Sequence, residues 1–364
     1  MTERIRVATR KGLFTVRRSG GGWQIGNPAF AGDPVTAVLD DPRDGTVHAA
    51  LNLGHFGVKM RRSTDDGRTW AESAVPAFPE QPGDSPGPPW VLRQIWCMET
   101  GRGPKPGTLW AGTLPGALFR SDDAGQSWNL VRPLWDRPER LEWFGGGYDH
   151  PGIHSIAVDP RSNGERITVA ISCGGVWRTL DGGQNWALAA TGMRAGYMPP
   201  GQQDQPNVQD PHRLVACAAA PEVLWTQHHS GIFRSVDGAQ NWTEVTGVKP
   251  SSFGFAVAAH PADPATAWFV PAARDELRVP VDARLVVTRT RDGGKSFEVL
   301  SEGLPRGPAY DLVYRHGLDI DPSGTLLAMG STTGSLWISE DAGDTWTNVT
   351  QHLPPIYAVR IVPD

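Results

Sequence analysis

The chain has 364 residues, of which 39% are apolar and 20% are charged, and its formal net charge is −5. This composition is typical of a soluble globular protein, and the scattered Lys and Arg residues, with a pI near 6.1, exclude a basic surface that binds nucleic acid. No apolar run approaches the roughly 18 residues that a membrane-spanning helix needs, so we expect no membrane partner.

The first predicted element is a hairpin over Arg6–Gly12 and Leu13–Arg18. The N-terminal sequence lacks the apolar core and the small-residue cleavage site of a secretory signal. The three cysteines, Cys97, Cys173 and Cys217, are odd in number and share no CxxC spacing. Together these features predict a protein of the reducing cytoplasm.

An octapeptide with the pattern Ser/Thr-x-Asp-x-Gly-x-Ser/Thr/Asn-Trp recurs along the chain. Its Asp can accept hydrogen bonds from the backbone of its own turn, and its Gly supplies a positive φ, so each copy predicts a tight turn, an Asp box. We expect a structural role for the Asp residues, because acids from six successive repeats cannot share one active site. In two copies Ala239 replaces the Gly and Phe297 replaces the Trp. The copies are Ser63–Trp70, Ser121–Trp128, Thr179–Trp186, Ser235–Trp242, Thr290–Phe297 and Ser339–Trp346.

Each box follows a hairpin of two β-rich runs, and a third run lies upstream of most hairpins. With the strand after each box, this gives four strands about every 50 residues, which is typical of propeller blades. The N-terminal hairpin adds a seventh unit that lacks a box and an upstream strand, and Ile356–Pro363 matches the missing strand. The sequence therefore predicts one all-β domain over residues 1–364. We expect a seven-bladed β-propeller with Asp-box turns, in which strand 356–363 completes blade 1 and closes the ring.

The boxes resemble the BNR or Asp-box repeats of sialidases, sortilin-type receptors, some xyloglucan-cleaving enzymes and photosystem II assembly factors. The resemblance covers nearly the whole chain and is specific for the fold. The chain is also similar to bacterial cytoplasmic BNR-repeat proteins that are labelled glycosyl hydrolase or exo-alpha-sialidase. A sialidase-like activity would need an arginine triad, for which Arg10, Arg93 and Arg274 are the candidates. No FRIP-like segment, the usual context of the first arginine, precedes Ser63.

Three histidines share one position in the predicted inner strands of the blades. His154 and His316 each lie six residues before the proline that ends the strand. Aligning Leu214 with Ile156 gives His212 the same position. Because a propeller brings equivalent inner-strand positions together around its axis, we expect the three side chains to converge at one mouth of the central channel.

Other polar and aromatic residues are expected at the same mouth. Long loops enter it, and function concentrates in long loops on a rigid scaffold. One insertion, Pro271–Leu285, is either a solvent-exposed loop or a lid over the mouth. We predict catalytic roles for His154, His212, His316, Tyr148, Asp149 and Arg93, and binding roles for His228, His229, Tyr357, Tyr314, Trp96 and Arg274.

Clustered imidazoles cannot all be protonated cheaply, and neutral His is a common ligand of divalent transition metals. Two interpretations therefore remain open for the histidines. In one, His154, His212, His228 and His316 hold a divalent transition metal. In the other, the histidines cap strands and bond loop carbonyls.

Three classes of function fit the sequence. The first is an enzyme that acts on a small molecule at the His-lined mouth, as a hydrolase, lyase or oxidoreductase. The second is a non-enzymatic binding or assembly propeller. The third is a glycoside hydrolase of sialidase-like type, which needs two carboxylates about 5–10 Å apart. Its candidate carboxylates are Glu142, Asp149, Asp275, Glu276 and Asp311, and the oligomeric state is left open.

Overall fold

The computed structural model describes residues 4–87, 89–103, 107–146 and 148–362. The described residues form seven four-stranded antiparallel sheets, so the predicted all-β, seven-bladed β-propeller is confirmed. The strands of blade 1 are β1 (Arg4–Thr9), β2 (Gly12–Ser19), β3 (Gly22–Ile25) and β28 (Ile356–Val362); those of blade 2 are β4 (Val35–Asp40), β5 (Val47–Asn52), β6 (Val58–Ser63) and β7 (Ala71–Ser73); those of blade 3 are β8 (Gln94–Thr100), β9 (Leu109–Leu114), β10 (Leu118–Ser121) and β11 (Asn129–Leu130); those of blade 4 are β12 (Ile153–Val158), β13 (Ile167–Ile171), β14 (Gly175–Thr179) and β15 (Ala187–Leu188); those of blade 5 are β16 (Pro211–Ala216), β17 (Leu224–His228), β18 (Gly231–Ser235) and β19 (Thr243–Val245); those of blade 6 are β20 (Gly254–Ala259), β21 (Ala267–Pro271), β22 (Val287–Thr290) and β23 (Glu298–Leu300); and those of blade 7 are β24 (Leu318–Ile320), β25 (Leu327–Gly330), β26 (Leu336–Ser339) and β27 (Thr347–Thr350).

Helical structure is confined to short connections between strands. None of the helices that the structure describes is long and apolar enough to cross a membrane. They are α1 (Arg132–Trp135) and the 3₁₀ turns Gly54–Phe56, Pro138–Glu142, Pro206–Val208 and Val281–Ala283.

The Asp boxes connect the third and fourth strands of six blades. Each third strand ends at the first residue of a box, and the fourth strand begins directly after its aromatic residue. In blade 4, Asp181 accepts hydrogen bonds from the Thr179 hydroxyl (2.7 Å) and from the backbone and side-chain N–H groups of Asn185 (2.9 and 2.7 Å). The other boxes repeat this local bonding at Asp65, Asp123, Asp237, Asp292 and Asp341.

The C-terminal strand lies in the same sheet as the N-terminal hairpin. Strand β28 pairs antiparallel with β1, with Val7 opposite Val359 and Arg4 opposite Val362. The predicted pairing of Ile356–Pro363 with the first strand is therefore present over Ile356–Val362, and Pro363 lies outside the described residues.

The chain divides into two compact units. The first, Met1–Val35, His212–Gly238 and Trp242–Asp364, holds blades 1, 6 and 7 and most of blade 5. The second, Thr36–Pro211 and Ala239–Asn241, holds blades 3 and 4 and all of blade 2 except Val35. The single-domain assignment for residues 1–364 stays a prediction. Large tryptophans fill the core of each unit, with Trp268, Trp337 and Trp346 in one cluster of the first and Trp110, Trp177 and Trp186 in one cluster of the second.

In several blades, one position of the second strand packs onto the box of the next blade of the same unit. Trp225 and Trp268 occupy it in the first unit, where they lie against Gly294 and Gly343 respectively. Blade 2 has His48 instead. Its imidazole is fully buried and packs against Gly125 of the blade 3 box.

Candidate functional site

His212 lies in strand β16 of the first unit, and its ring is fixed from two sides. Its Nδ1 donates a hydrogen bond to the carbonyl oxygen of Gly254 at 2.6 Å. The imidazole stacks on Phe255 with ring centroids 4.5 Å apart and planes inclined by only 14°. Because a carbonyl oxygen only accepts, the proton of the neutral ring is on Nδ1 and Nε2 carries the lone pair.

His229 lies in the turn between β17 and β18 and extends this group. Its ring centroid is 5.5 Å from that of His212 and 5.8 Å from that of Phe253. Its Nε2 is 3.9 Å from Oδ2 of Asp275, and its side chain is 22% exposed, so a small solute has access to it. His212, His229 and Asp275 together are called the imidazole–carboxylate cluster below.

The insertion that contributes Asp275 folds back onto the aromatic residues of the cluster. Arg278 donates through Nε to Oδ1 of Asp275 at 3.0 Å, which leaves Oδ2 of that carboxylate on the side of His229. The same guanidinium lies 5.5 Å from the ring centroid of Phe255, and the nearby Tyr314 favours its charged form. The insertion is therefore part of the site, and its carboxylate is held by an ion pair.

A buried amide supports the turn that carries His229. Gln227 is 1% exposed and lies in β17. Its Nε2 donates to the carbonyl oxygens of His228 and Gly231, both at 3.2 Å, and of Ser252 at 2.8 Å. One side chain thus binds the turn to the segment that leads into strand β20.

The other predicted site residues of the first unit have separate surroundings. Nδ1 of His228 accepts the backbone N–H of Ser230 at 3.0 Å, so this nitrogen already serves the turn. His316 is buried just before β24, accepts the backbone N–H of Val359 through its main-chain oxygen, and bridges to Ala358, the residue after Tyr357 in β28. Arg274 is exposed and pairs with Glu276 at 3.7 Å.

In the second unit three predicted residues meet. Trp96 packs edge-on against Tyr148 at 5.1 Å and against His154 at 5.5 Å between ring centroids. His154 is fully buried, and its Nδ1 lies 3.0 Å from the Ser155 hydroxyl. Arg93 and Asp149 are exposed.

A further polar group in the second unit was not predicted from the sequence. Asp210 is buried and accepts the backbone N–H of Cys173 at 3.1 Å. The hydroxyl of Tyr197 donates to the Val208 carbonyl oxygen at 2.5 Å and is hydrogen-bonded with the Cys173 side chain. Burial, together with the charge of Asp210 and the thiol of Cys173, raises the pKa of Tyr197. These residues have no repeat position in common, so nothing in the sequence signals that they meet.

The predicted convergence of His154 with His212 and His316 stays a prediction, since His154 belongs to the second unit and the other two histidines to the first. So does the metal set of His154, His212, His228 and His316. Within the first unit, the structure joins His212 to His229 and adds Asp275, which the sequence had offered only as a glycosidase carboxylate.

Two curated xyloglucanases are similar to this chain in sequence. A probable oligoxyloglucan-reducing end-specific xyloglucanase of Neosartorya fischeri is 26% identical over 271 residues, which cover 66% of this chain and 30% of that protein. A xyloglucanase of a Paenibacillus species is 24% identical over 321 residues, which cover 77% of this chain and 29% of that protein. The chain thus spans less than a third of the length of these relatives. No family model matches the chain.

Solved structures share the fold. The GH74 xyloglucanase of Xanthomonas campestris superposes with a TM-score of 0.61 at 17% identity, covering 95% of this chain and 56% of that one. At this level of identity the likeness concerns the β-propeller fold alone, because one fold hosts many chemistries.

Proposed function

We propose that the chain is a hydrolase that acts on a small carbohydrate substrate at the imidazole–carboxylate cluster. The observation that carries the proposal is the grouping of His212, His229 and Asp275, with His212 oriented by a backbone carbonyl and Asp275 by Arg278. The similarity to two xyloglucanases supports hydrolysis and a carbohydrate substrate.

The residue types at this cluster suit a divalent transition metal, with His229 and Asp275 as the pair within reach of one ion. Imidazole and carboxylate are ligands that zinc, iron and similar ions accept. Two ligands at roughly 2.1 Å from a tetrahedral ion are about 3.4 Å apart, and Nε2 of His229 is 3.9 Å from Oδ2 of Asp275. The Gly254 carbonyl and Arg278 would then be the outer partners that orient two of the ligands.

The cluster would divide the work of hydrolysis among its residues. A bound cation makes water more acidic and polarises the bond to be cleaved. Water adds to the electrophilic carbon, the bond from that carbon to the leaving oxygen breaks, and the proton lost by water passes to solvent. We assign the hydroxyl of Tyr314, which lies near Arg278, as the donor of the proton to the leaving oxygen, after which the tyrosinate takes up a proton from solvent.

Metal binding by the purified chain tests the proposal. We expect one Zn²⁺ or Co²⁺ per chain by calorimetry after treatment with a chelator, and metal-dependent cleavage in a panel of aryl glycosides and sugar esters. His229→Ala should weaken binding by more than the roughly 10–100-fold typical of a lost outer partner, while the melting temperature stays close to that of the native chain. His352→Ala, at an exposed position, is the matched control. Unchanged metal affinity in His229→Ala would refute the metal centre.

A second candidate is glycoside hydrolysis by two carboxylates, which the two xyloglucanase relatives favour. The sialidase-like form is one version of this candidate. The candidate predicts activity that survives chelators and is lost in Asp275→Asn or Asp311→Asn. If neither metal-dependent nor chelator-resistant turnover is found and glycans still bind, the chain is a binding propeller instead.

A further inference from the structure

Gln227 is a polar residue at a position of the second strand where other blades carry a small apolar residue. It pairs with Ile232, three residues before the first residue of the blade 5 box. In four other blades the residue at this position is Ala or Gly. These residues are Ala50, Gly112, Ala170 and Gly330. A fully buried amide here is not needed to build a blade, since the other blades form without one.

The amide of Gln227 joins two segments that each orient one imidazole. Its bonds to His228 and Gly231 span the turn that presents His229. Its bond to the Ser252 carbonyl, at 2.8 Å, fixes the backbone two residues before Gly254. Gly254 in turn supplies the carbonyl oxygen that takes the Nδ1 proton of His212.

We propose that Gln227 is a positioning residue that sets the placement of the His212 and His229 rings relative to each other. The inference rests on the proposed function of the imidazole–carboxylate cluster. Three carbonyl oxygens from two segments converge on a single NH₂ group, so removing that group frees the turn and the strand entry to move independently. Outer partners of this kind typically change metal affinity by about 10–100-fold when they are lost.

Two variants test this role. Gln227→Met keeps the length of the side chain but removes the donors, and Gln227→Ala installs the residue that blades 2 and 4 already carry. We expect both to fold and to bind Zn²⁺ about 10–100-fold more weakly than the native chain. Thr113→Val is the matched control, because the buried Thr113 hydroxyl likewise bonds the carbonyl of Pro115 in its own hairpin, at 2.7 Å, in blade 3. Its affinity should equal that of the native chain.

Nitrogen NMR of the imidazoles separates this inference from the proposed function. In the native chain we expect His212 as the Nδ1–H tautomer, and in Gln227→Met we expect a mixture of tautomers or broadened signals. If the native chain binds no metal, the proposed function fails, and the NMR comparison still decides the role of Gln227. Native-like metal affinity together with a native tautomer in both variants would overturn the inference.

Discussion

At the scale of single residues, the box aspartates are held as anions by their own turns. In Asp181 the side-chain hydrogen bond from Asn185, with backbone bonds and Thr179, lowers the pKa to about 2. Asp65 and Asp123 are lowered to about 2 in the same way, mainly by the hydroxyls of Thr69 and Ser127. Hydrogen bonds to the charged carboxylate explain why the pKa is lowered, because burial alone would raise it.

These aspartates predict a loss of stability in acid. A carboxylate with a lowered folded pKa contributes stability above its unfolded pKa of about 3.9, and that contribution is lost as the pH falls through the folded value near 2. We expect Asp181→Asn to melt at a lower temperature at pH 7 and to show a smaller further loss between pH 4 and pH 2. Thermal melts of both chains across this range provide the measurement. An equal fall in melting temperature between pH 4 and pH 2 in both chains would contradict the stabilising role of the Asp181 carboxylate.

The sequence predicted the local bonds of the box aspartates, but it did not predict that Asp275 meets His229. The bonds of Asp181 run to residues within four positions of it, so the pattern of letters carries the contact. Asp275 meets His229 across 46 residues of sequence, through an insertion without periodicity, so no pattern announces the pair. Gln227 was missed for a related reason, because its partners are backbone carbonyls that any residue type supplies.

At the scale of elements, the contact that His48 makes between blades 2 and 3 differs from those that Trp225 and Trp268 make in the first unit. Both ring nitrogens of His48 are buried and have no hydrogen-bond partner among the described residues. Burial lowers the pKa of His48, against the attraction of Asp41 and Asp44 and with the repulsion of Arg62 and Arg43. The imidazole is therefore neutral in the folded chain at pH 7. At the equivalent position of blades 5 and 6, Trp225 and Trp268 supply an apolar ring instead.

His48 predicts a second pH dependence, in a milder range. Because its folded pKa lies below the unfolded value near 6.5, its packing is intact above pH 6.5 and is lost as the pH falls below that toward the folded value. We expect His48→Leu to raise the free energy of unfolding at pH 5 by about 1–3 kcal/mol, the cost of a buried polar group without a partner. Urea denaturation at pH 5 and pH 7.5 measures this.

The exposed His352 gives the control for that experiment. His352→Leu should leave the difference in the free energy of unfolding between pH 5 and pH 7.5 as it is in the native chain. If His48→Leu does the same, protonation of His48 is not the source of the effect.

The strands themselves were predictable, since β-rich runs and turn residues recur beside every box. Strand β28 follows the prediction closely, because the sequence of Ile356–Val362 matches the run that precedes the hairpin in other blades. His48 was not singled out, because the sequence alone does not say which side chain of a strand meets the next blade.

At the scale of the whole molecule, β28 supplies a large part of the core of blade 1. Ile356 and Val359 belong to one apolar cluster with Ile5, Val7 and Leu336. Burying an aliphatic side chain contributes about 1.5–3 kcal/mol, and a domain is stable by only about 5–15 kcal/mol.

A chain that ends after Pro355 should therefore not unfold cooperatively, because it loses these side chains and leaves β1 with an open edge. A synthetic peptide with the sequence of residues 356–362 should restore a single melting transition, and a scrambled peptide should not. Circular dichroism melts of the three samples test this. A sharp transition without any peptide would show that the strand is dispensable.

The pairing of β1 with β28 also means that β1 is synthesised long before its partner strand. Thr9 and its partner Ile356 are separated by about 350 residues, which a ribosome adds in roughly 20–70 s. For that time the nascent chain carries β1 with its final partner still missing. Arg4 and Arg6 alternate with the apolar residues of β1, and charges on an exposed strand discourage pairing with a second chain. The two arginines thus discourage β1 from pairing with a nascent chain on a neighbouring ribosome while blade 1 still lacks β28.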